Sequence, residues 1–427
     1  MKFRKIAALA AAASLAFGVA GCSKDSEPGS SEAESQSGQT VRVWFMEGSI
    51  SDEAQQYLVD EFAKANPGNE LKVEVQQWDG IVSKLQTSLA SKNESPDLVE
   101  IGNTQTTSFT TVGAFADVTD LRETLGGDDL IQSFVDASTV DGKIYAYPLY
   151  AGARGVYYRK DLFEQAGIDV PKTITEFKDA AIALQQANPE GVEDFSGLYF
   201  AAVDAHGVES FLFPAGFEYA KKEGDKWVAQ VTTPESMKAL EMAQDLFANG
   251  THFGLDSQAS QKSFERYFNE GQVGILIGTG NIGVKIDQKL WDEDKVGIFA
   301  IPSEEPGVPG ASFAGGSNIA MATNSQNPEL AKRALEVIFS EGFQKLIAKD
   351  GWVPGNTKLG SDVAGAFGEI AADVVAHSKL TPNTPQWGVA VGDNAVNDFY
   401  THIAKGEDLQ KTAQEFNEQL DTLLNQK

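Results

Sequence analysis

At 427 residues the chain is long enough for two or three domains with substantial cores, and 42% hydrophobic and 10% aromatic content is ordinary for a globular protein. A formal charge of −27 at pH 7 is not ordinary: it repels nucleic acid and anionic membrane, argues against acidic substrates, and favours a soluble monomer. The one cysteine excludes an intrachain disulfide framework, and His206, His252, His377 and His402 lie too far apart for metal-site spacing, so no metal or cofactor is expected.

Met1–Lys5 carries three basic residues, and Ile6–Ala20 is an apolar run too short to span a bilayer comfortably. The run ends in Val19-Ala20-Gly21-Cys22, which resembles the bacterial lipobox, with Cys22 as the acylated residue. Residues 1–21 therefore read as a lipoprotein signal peptide; the alternative is an ordinary cleaved signal with an incidental cysteine. Acyl chains contribute roughly 0.8 kcal/mol per buried methylene, so a multiply acylated cysteine would anchor the chain to the outer face of the plasma membrane. Residues 22–39, rich in Ser, Glu, Gln and Gly, bury too little to order themselves and read as a flexible tether.

Val41–Phe45 reads as a buried strand, followed by a helix from Ser51-Asp52 with Ala54, Tyr57, Leu58 and Phe62 at helical spacing and a stop at Pro67-Gly68. Leu71–Val75 alternates as a strand, Ile81, Leu85 and Leu89 mark a second helix, and Leu98–Ile101 is another buried strand ending in Gly102-Asn103-Thr104-Gln105. Strands alternating with helices imply a mainly parallel α/β sheet, whose ligands bind beyond the carboxyl ends of the strands. Glu47-Gly48, Trp78 and Asn103–Gln105 all fall at such ends.

Tyr145–Phe163, YAYPLYAGARGVYYRKDLF, places strand-like runs at Ile144–Tyr147 and Gly155–Tyr158 around the small-residue elbow Ala151–Arg154. Pro148 suits the end of the first run, because it cannot donate to a sheet ladder. With the PDLVEIGN segment before it and the lipobox, this stretch resembles the crossover of the extracellular solute-binding proteins of ABC sugar importers, the family of the maltose-binding-protein-like family 1 proteins. One departure is Arg159, where the family more often has Asn or Asp. The resemblance implies an α/β, two-lobed periplasmic-binding-protein-like fold, with mainly parallel sheets flanked by helices and lobes joined by crossover hinges.

Beyond the crossover, Thr173 and Glu176 have capping-box spacing before a helix, Ser210–Phe217 is aromatic and broken at Pro214, Lys222–Val228 reads as a hairpin, and Thr233-Pro234-Glu235 opens another helix. Gly278–Gly283 fits G-x-G-x-x-G after a strand, but it lies deep in the chain of an exported protein and is read as a decoy rather than a dinucleotide site. Ala314–Ala320, AGGSNIA, resembles the family's return crossover; Gly316 allows close backbone approach and Ser317 offers a hydroxyl, while Ile319 rules out a nucleophile elbow. Trp352 precedes a turn and reads equally as core or as site. Thr381–Trp387, TPNTPQW, puts an indole on a proline-stiffened loop, read as a platform rather than core, with Asp393 close behind. The final helix repeats Leu409, Ala413, Phe416, Leu420 and Leu423 as a core stripe.

The resemblance implies lobe 1 from 40–150 plus 316–357 and lobe 2 from 151–315 plus 358–427, closing on a short neutral oligosaccharide that passes to ABC permease subunits. Sugars present C–H faces to aromatic rings and hydroxyls to polar side chains. Trp78 and Trp387, with Tyr150 third, are the expected stacking residues; Glu47, Asn103, Gln105, Arg154, Ser317 and Asp393 are the expected hydroxyl partners, with Gly316 beside them. His206 reads as a satisfied loop histidine, with cleft lining as the alternative. No catalytic constellation is evident, so the chain is read as a binding protein and not an enzyme; an exported glycoside hydrolase with two carboxylates and a carbohydrate-binding surface protein are the alternatives.

Overall fold

The computed structural model describes residues 37–224, 226–256, 264–392 and 394–426. The signal-peptide and lipidation expectations, including Cys22, and the candidate Asp393 lie outside these residues. At the end of the expected tether, the Gly38 N–H donates to the Gly68 carbonyl at 2.6 Å and the Gln39 N–H to Asn69 Oδ1 at 3.1 Å, so the fold begins a little before Thr40.

In chain order the described strands are β1 (Thr40–Met46), β2 (Glu70–Gln76), β3 (Leu98–Gly102), the short pair β4 (Thr139–Val140) and β5 (Lys143–Ile144), β6 (Ala146–Arg159), β7 (Ser196–Leu198), the hairpin β8 (Ala220–Glu223) and β9 (Lys226–Ala229), β10 (Val273–Thr279), β11 (Val296–Ala300), β12 (Ala314–Met321) and β13 (Val353–Pro354). The main sheet runs β2-β1-β3-β12-β6-β10-β7, with β11 and β13 also paired to β6. Parallel pairing joins β1 to β2 and β3, and β10 to β7; β6 and β12 run antiparallel to their neighbours.

β6 organises the molecule. Its first part pairs with β12 from Ala146 to Ala153, and its second part pairs with β10 from Arg154 to Tyr158 and with β11 from Gly155 to Arg159. The expected pair of short runs is thus one 14-residue strand that leaves one set of partners for another between Ala153 and Arg154. Pro148 lies inside it rather than at its end. Its missing donor falls opposite Asn318, where β12 shifts register between Ser317 and Asn318. Arg159 is buried and grips Asp161 with two hydrogen bonds of 2.8 and 2.7 Å, which accounts for a guanidinium at the strand end.

Both faces of β1 and β3 are buried. Val41, Val43 and Phe45 pack with Leu58, Phe62 and Ile338 on one side, while Trp44, Met46, Val99 and Ile101 pack with Ile81 and Leu85 on the other. Such two-sided burial explains the near-continuous apolar runs of β1 and β3. Around β7 and β10 a larger cluster joins Phe177, Leu198, Phe211, Ile275 and Leu420. Helix starts follow the expected caps: Thr173 accepts from the Glu176 N–H at 3.1 Å and Thr233 from the Ser236 N–H at 3.3 Å. The G-x-G-x-x-G segment closes β10 and forms one turn, Gly280–Gly283. A Cβ on Gly280 would sit 2.1 Å from the Gly351 carbonyl oxygen, so the glycine there serves close backbone packing. The Ser210–Phe217 stretch, expected only as a broken aromatic run, opens with the end of the helix Ala205–Leu212, which is capped by Asp204.

Candidate functional site

The parallel strands β1, β2 and β3 end side by side. Register pairs Met46 with Gln76, which sets Glu47 and Trp78 just beyond adjacent strand ends. The Glu47 N–H donates to the Gln76 carbonyl at 2.7 Å, leaving its side chain exposed, and Trp78 is half-buried against the cluster of Trp44 and Ile81. At the end of β3, Gly102 pairs with Ser317 of β12, and Ser317 pairs in turn with Tyr150 of β6. The Asn103 N–H donates to the Gly316 carbonyl at 3.0 Å. Asn103, Tyr150, Gly316 and Ser317 are therefore brought together where β3 meets both crossover strands. A Cβ on Gly316 would meet the Tyr150 carbonyl oxygen at 2.4 Å, so only glycine lets the strands approach this closely.

A carboxylate absent from the sequence-based candidates holds this junction. Glu100 is fully buried in β3 and accepts from the Met46 N–H at 2.8 Å, the Ser49 hydroxyl at 2.8 Å and the Tyr150 hydroxyl at 2.7 Å. Ser317 Oγ lies 3.1 Å from the Tyr150 hydroxyl, extending the network onto β12. Burial pushes the Glu100 carboxyl above its ordinary range, opposed by those hydrogen bonds. The Tyr150 phenol is raised well above 10, first by burial and then by the Glu100 charge. Tyr150 is thus sealed into a polar network and stacks on Trp352 with centroids 4.4 Å apart. Trp352 is half-buried in that stack against the crossover, and its Nε1 is buried without a hydrogen-bond partner.

Gln105 follows Asn103, and its Oε1 is buried without a donor. Arg154 stands just past the switch in β6. Its guanidinium spans both Asp204 oxygens at 3.4 Å and also reaches the Ile277 carbonyl at 3.4 Å. The arginine is therefore held and neutralised by a partner that the sequence reading missed; the N-cap pattern Asp204-Ala205-His206-Gly207 was its available signal.

Trp387 stands elsewhere. It is 1% exposed and packs in the core, its ring 4.7 Å from that of Tyr219. The expected stiff loop is in fact a helix, Pro385–Gly392. Proline at a first helical position is favourable, and on this helix the indole turns inward, so the platform reading is corrected to core packing. The same helix meets the helix Thr106–Thr111 that follows Gln105. The Ser108 hydroxyl donates to the Pro385 carbonyl at 2.8 Å and the Thr107 hydroxyl to Asn383 Oδ1 at 3.0 Å. Among the described residues no cluster of three His, Cys, Asp or Glu residues could hold a metal, and no helix is long and apolar enough to cross a membrane.

A sheet whose long crossover strand exchanges partners midway, with polar groups gathered at the exchange, is the architecture of a two-lobed binding protein. Known proteins agree. The profile of the bacterial extracellular solute-binding proteins matches residues 47–345, and the chain belongs to that family. The diacetylchitobiose binding protein DasA of Streptomyces coelicolor is 32% identical over 428 aligned positions, covering 98% of this chain and 99% of that protein. In fold, the chain resembles maltose-bound MalE3 of T. maritima, with a TM-score of 0.77 at 18% identity over 90% of this chain and 100% of that one. It also resembles the GacH receptor of Streptomyces glaucescens, with a TM-score of 0.76 at 19% identity over 90% of this chain and 98% of that one.

Proposed function

We propose that this chain is the substrate-binding component of an ABC importer that captures a short neutral oligosaccharide between two lobes and delivers it to membrane permease subunits. The lobes are 40–150 with 316–357, and 151–315 with 358–427; β6 and β12 are the hinges. The ligand class rests on one observation, the charge balance of the junction. Arg154 is offset by Asp204 and Glu100 is enclosed by three donors, while Gln105 Oε1 has no donor. With Arg154 paired and Glu100 buried, the crossovers offer hydrogen-bonding groups rather than an unpaired charge, and the exposed Glu47 at the neighbouring strand end adds an acceptor, a combination that suits sugar hydroxyls. The full-length similarity to a protein named for diacetylchitobiose binding supports the same class. The chain acts by binding, without turnover and as a monomer. Acylation of Cys22 holds it at the extracytoplasmic face of the plasma membrane, and that anchor is its membrane contact; nucleic acid is not a partner.

Calorimetric titration of a Cys22→Ser chain with di- to tetrasaccharides of the chitin and maltodextrin series tests this. Saturable binding of one series with no new reducing ends is expected. Turnover of any sugar refutes the binding-protein reading, and an absence of heat across both series refutes the ligand class. Palmitate labelling in a bacterial host, lost in Cys22→Ser, tests the anchor.

A further inference from the structure

A cavity of about 180 Å³ lies between the β8–β9 hairpin and residues 379–383, and none of Asn103, Tyr150, Gly316 and Ser317 lines it. At roughly 30 Å³ per water it has room for about six waters, less than the roughly 300 Å³ at which ordinary small-molecule pockets begin. That is too small for an oligosaccharide and large enough for one sugar ring.

The cavity is lined by aromatic side chains and by a balanced pair of charges. Phe213, Tyr219 and Trp227 supply the rings. Trp227 is half-buried, and Asn425 holds its backbone: the Trp227 N–H donates to Asn425 Oδ1 at 3.0 Å, and the Trp227 carbonyl accepts from Asn425 Nδ2 at 2.8 Å. Lys379 Nζ pairs with Glu218 Oε2 at 2.9 Å, donates to the Phe217 carbonyl at 3.3 Å and lies 5.0 Å above the Phe213 ring. Its backbone N–H donates to the Ser312 carbonyl at 2.8 Å, which fixes where the side chain starts.

Lys379 and Glu218 both line the cavity, and each keeps 28% of its side chain exposed, so the pair is within reach of an occupant. Paired in this way they carry no net charge to draw in an ion, yet they still offer a donor and an acceptor to a hydroxyl. Thr381 also lines the cavity; it is 5% exposed, and its Oγ1 has no hydrogen-bond partner among the described residues. Such buried orphans are rare in folded proteins and mark places that a bound water or ligand completes.

We propose that this cavity is a second sugar site, separate from the crossovers, that takes a single neutral monosaccharide. Trp227 offers apolar surface to the C–H groups of the ring, while Lys379 and Glu218 exchange hydrogen bonds with its hydroxyls. Side chains already held by Asn425 and by their own ion pair have little freedom left to lose on binding.

The test follows the six tryptophan indole N–H resonances while glucose and N-acetylglucosamine are added separately. Trp227→Phe assigns the Trp227 resonance. So small a ligand binds on the order of millimolar, and the Trp227 resonance should shift saturably in that range with at least one of the two sugars. Lys379→Met keeps the stem and loses the ammonium, so the midpoint of that shift should rise about tenfold or more. A Trp227 resonance unmoved by both sugars at about 100 mM, or a midpoint in Lys379→Met within about twofold of wild type, overturns the proposal. A shift with glycine or acetate and none with either sugar also overturns it, because the cavity then takes charged ligands. Far-UV circular dichroism checks that Lys379→Met folds; if it does not, Glu218→Gln replaces it, with a midpoint several-fold higher expected. Failure here leaves the importer reading standing, since no crossover residue takes part.

Discussion

Replacing Glu100 by alanine should weaken the fold at the point where the two crossovers meet β3. Three donors converge on this fully buried side chain: the Met46 N–H, the Ser49 hydroxyl and the Tyr150 hydroxyl. The two hydroxyls are 2.9 Å from one another and Ser317 is within reach, so they re-pair after the carboxylate is lost. The Met46 N–H has no such recourse, and an orphaned buried donor costs about 1–3 kcal/mol. A cavity on the order of 50 Å³ adds about 1 kcal/mol, for a total of about 2–4 kcal/mol. Glutamine should cost far less, because its carbonyl accepts from Met46 and its amide donates to the hydroxyl oxygens. Urea unfolding, with hydrogen exchange at the Met46 amide as the local reading, checks both variants. Alanine and glutamine variants of equal stability, or an alanine variant within about 0.5 kcal/mol of wild type, would refute the reasoning.

The same residue sets a pH dependence. Its folded carboxyl titrates above the ordinary 4.5, so between those values the folded state binds more protons than the unfolded one. The stability it contributes is full below 4.5 and is lost as pH rises through the folded value. Glu100→Gln should therefore remove a stability decline that wild type shows on that side.

Glu74 should behave in the opposite sense. Hydrogen bonds from Arg42, and from Lys72 and Trp44, hold its carboxyl down at about 2, so its contribution is present above 4.5 and lost as pH falls through about 2; Glu74→Gln should flatten acid unfolding there. Trp387→Ala should destabilise by about 3–5 kcal/mol, as expected for a buried large aromatic, and Trp387→Phe by much less. Thermal unfolding reads both, and a Trp387→Ala chain of wild-type stability that has lost sugar affinity would restore the platform reading. Gly388→Val should prop the lobes apart, because a Cβ there would lie 2.1 Å from Ser108 Oγ. Small-angle scattering in saturating ligand should show a larger radius of gyration than wild type; an unchanged radius counts against the 106–111 and 385–392 helices meeting in the closed form.

Much was settled locally, within spans that one helix or one strand covers. The apolar runs of β1 and β3 and the Thr173 and Thr233 caps depend on periodicity and on neighbours a few residues away, so the sequence alone determined them, whereas the crossovers at 146–159 and 314–321 were marked by family resemblance, and the first is one continuous strand rather than two runs. The expected tether at 22–39 and the expected acylation of Cys22 are readings of that kind. Tertiary structure decided which side chains meet. A glutamate in the apolar run Leu98–Gly102 gives no local sign of its partners, because Met46, Ser49 and Tyr150 are 54, 51 and 50 residues away. Arg154 was legible as a polar residue at an elbow, but its neutralisation by Asp204 needed β6 laid beside the capped helix. Trp387 turned on one rotation: the same proline opens a loop or a helix, and only packing against Tyr219 chose the inward face. His206 is the converse, a residue unremarkable in its own segment whose ring stacks on that of Phe313, more than a hundred residues on, with centroids 4.0 Å apart. Local sequence encodes backbone geometry through caps, periodicity and missing donors. The character of a site arises from long-range contacts, whose energies exist only when the crossovers bring distant strands into register.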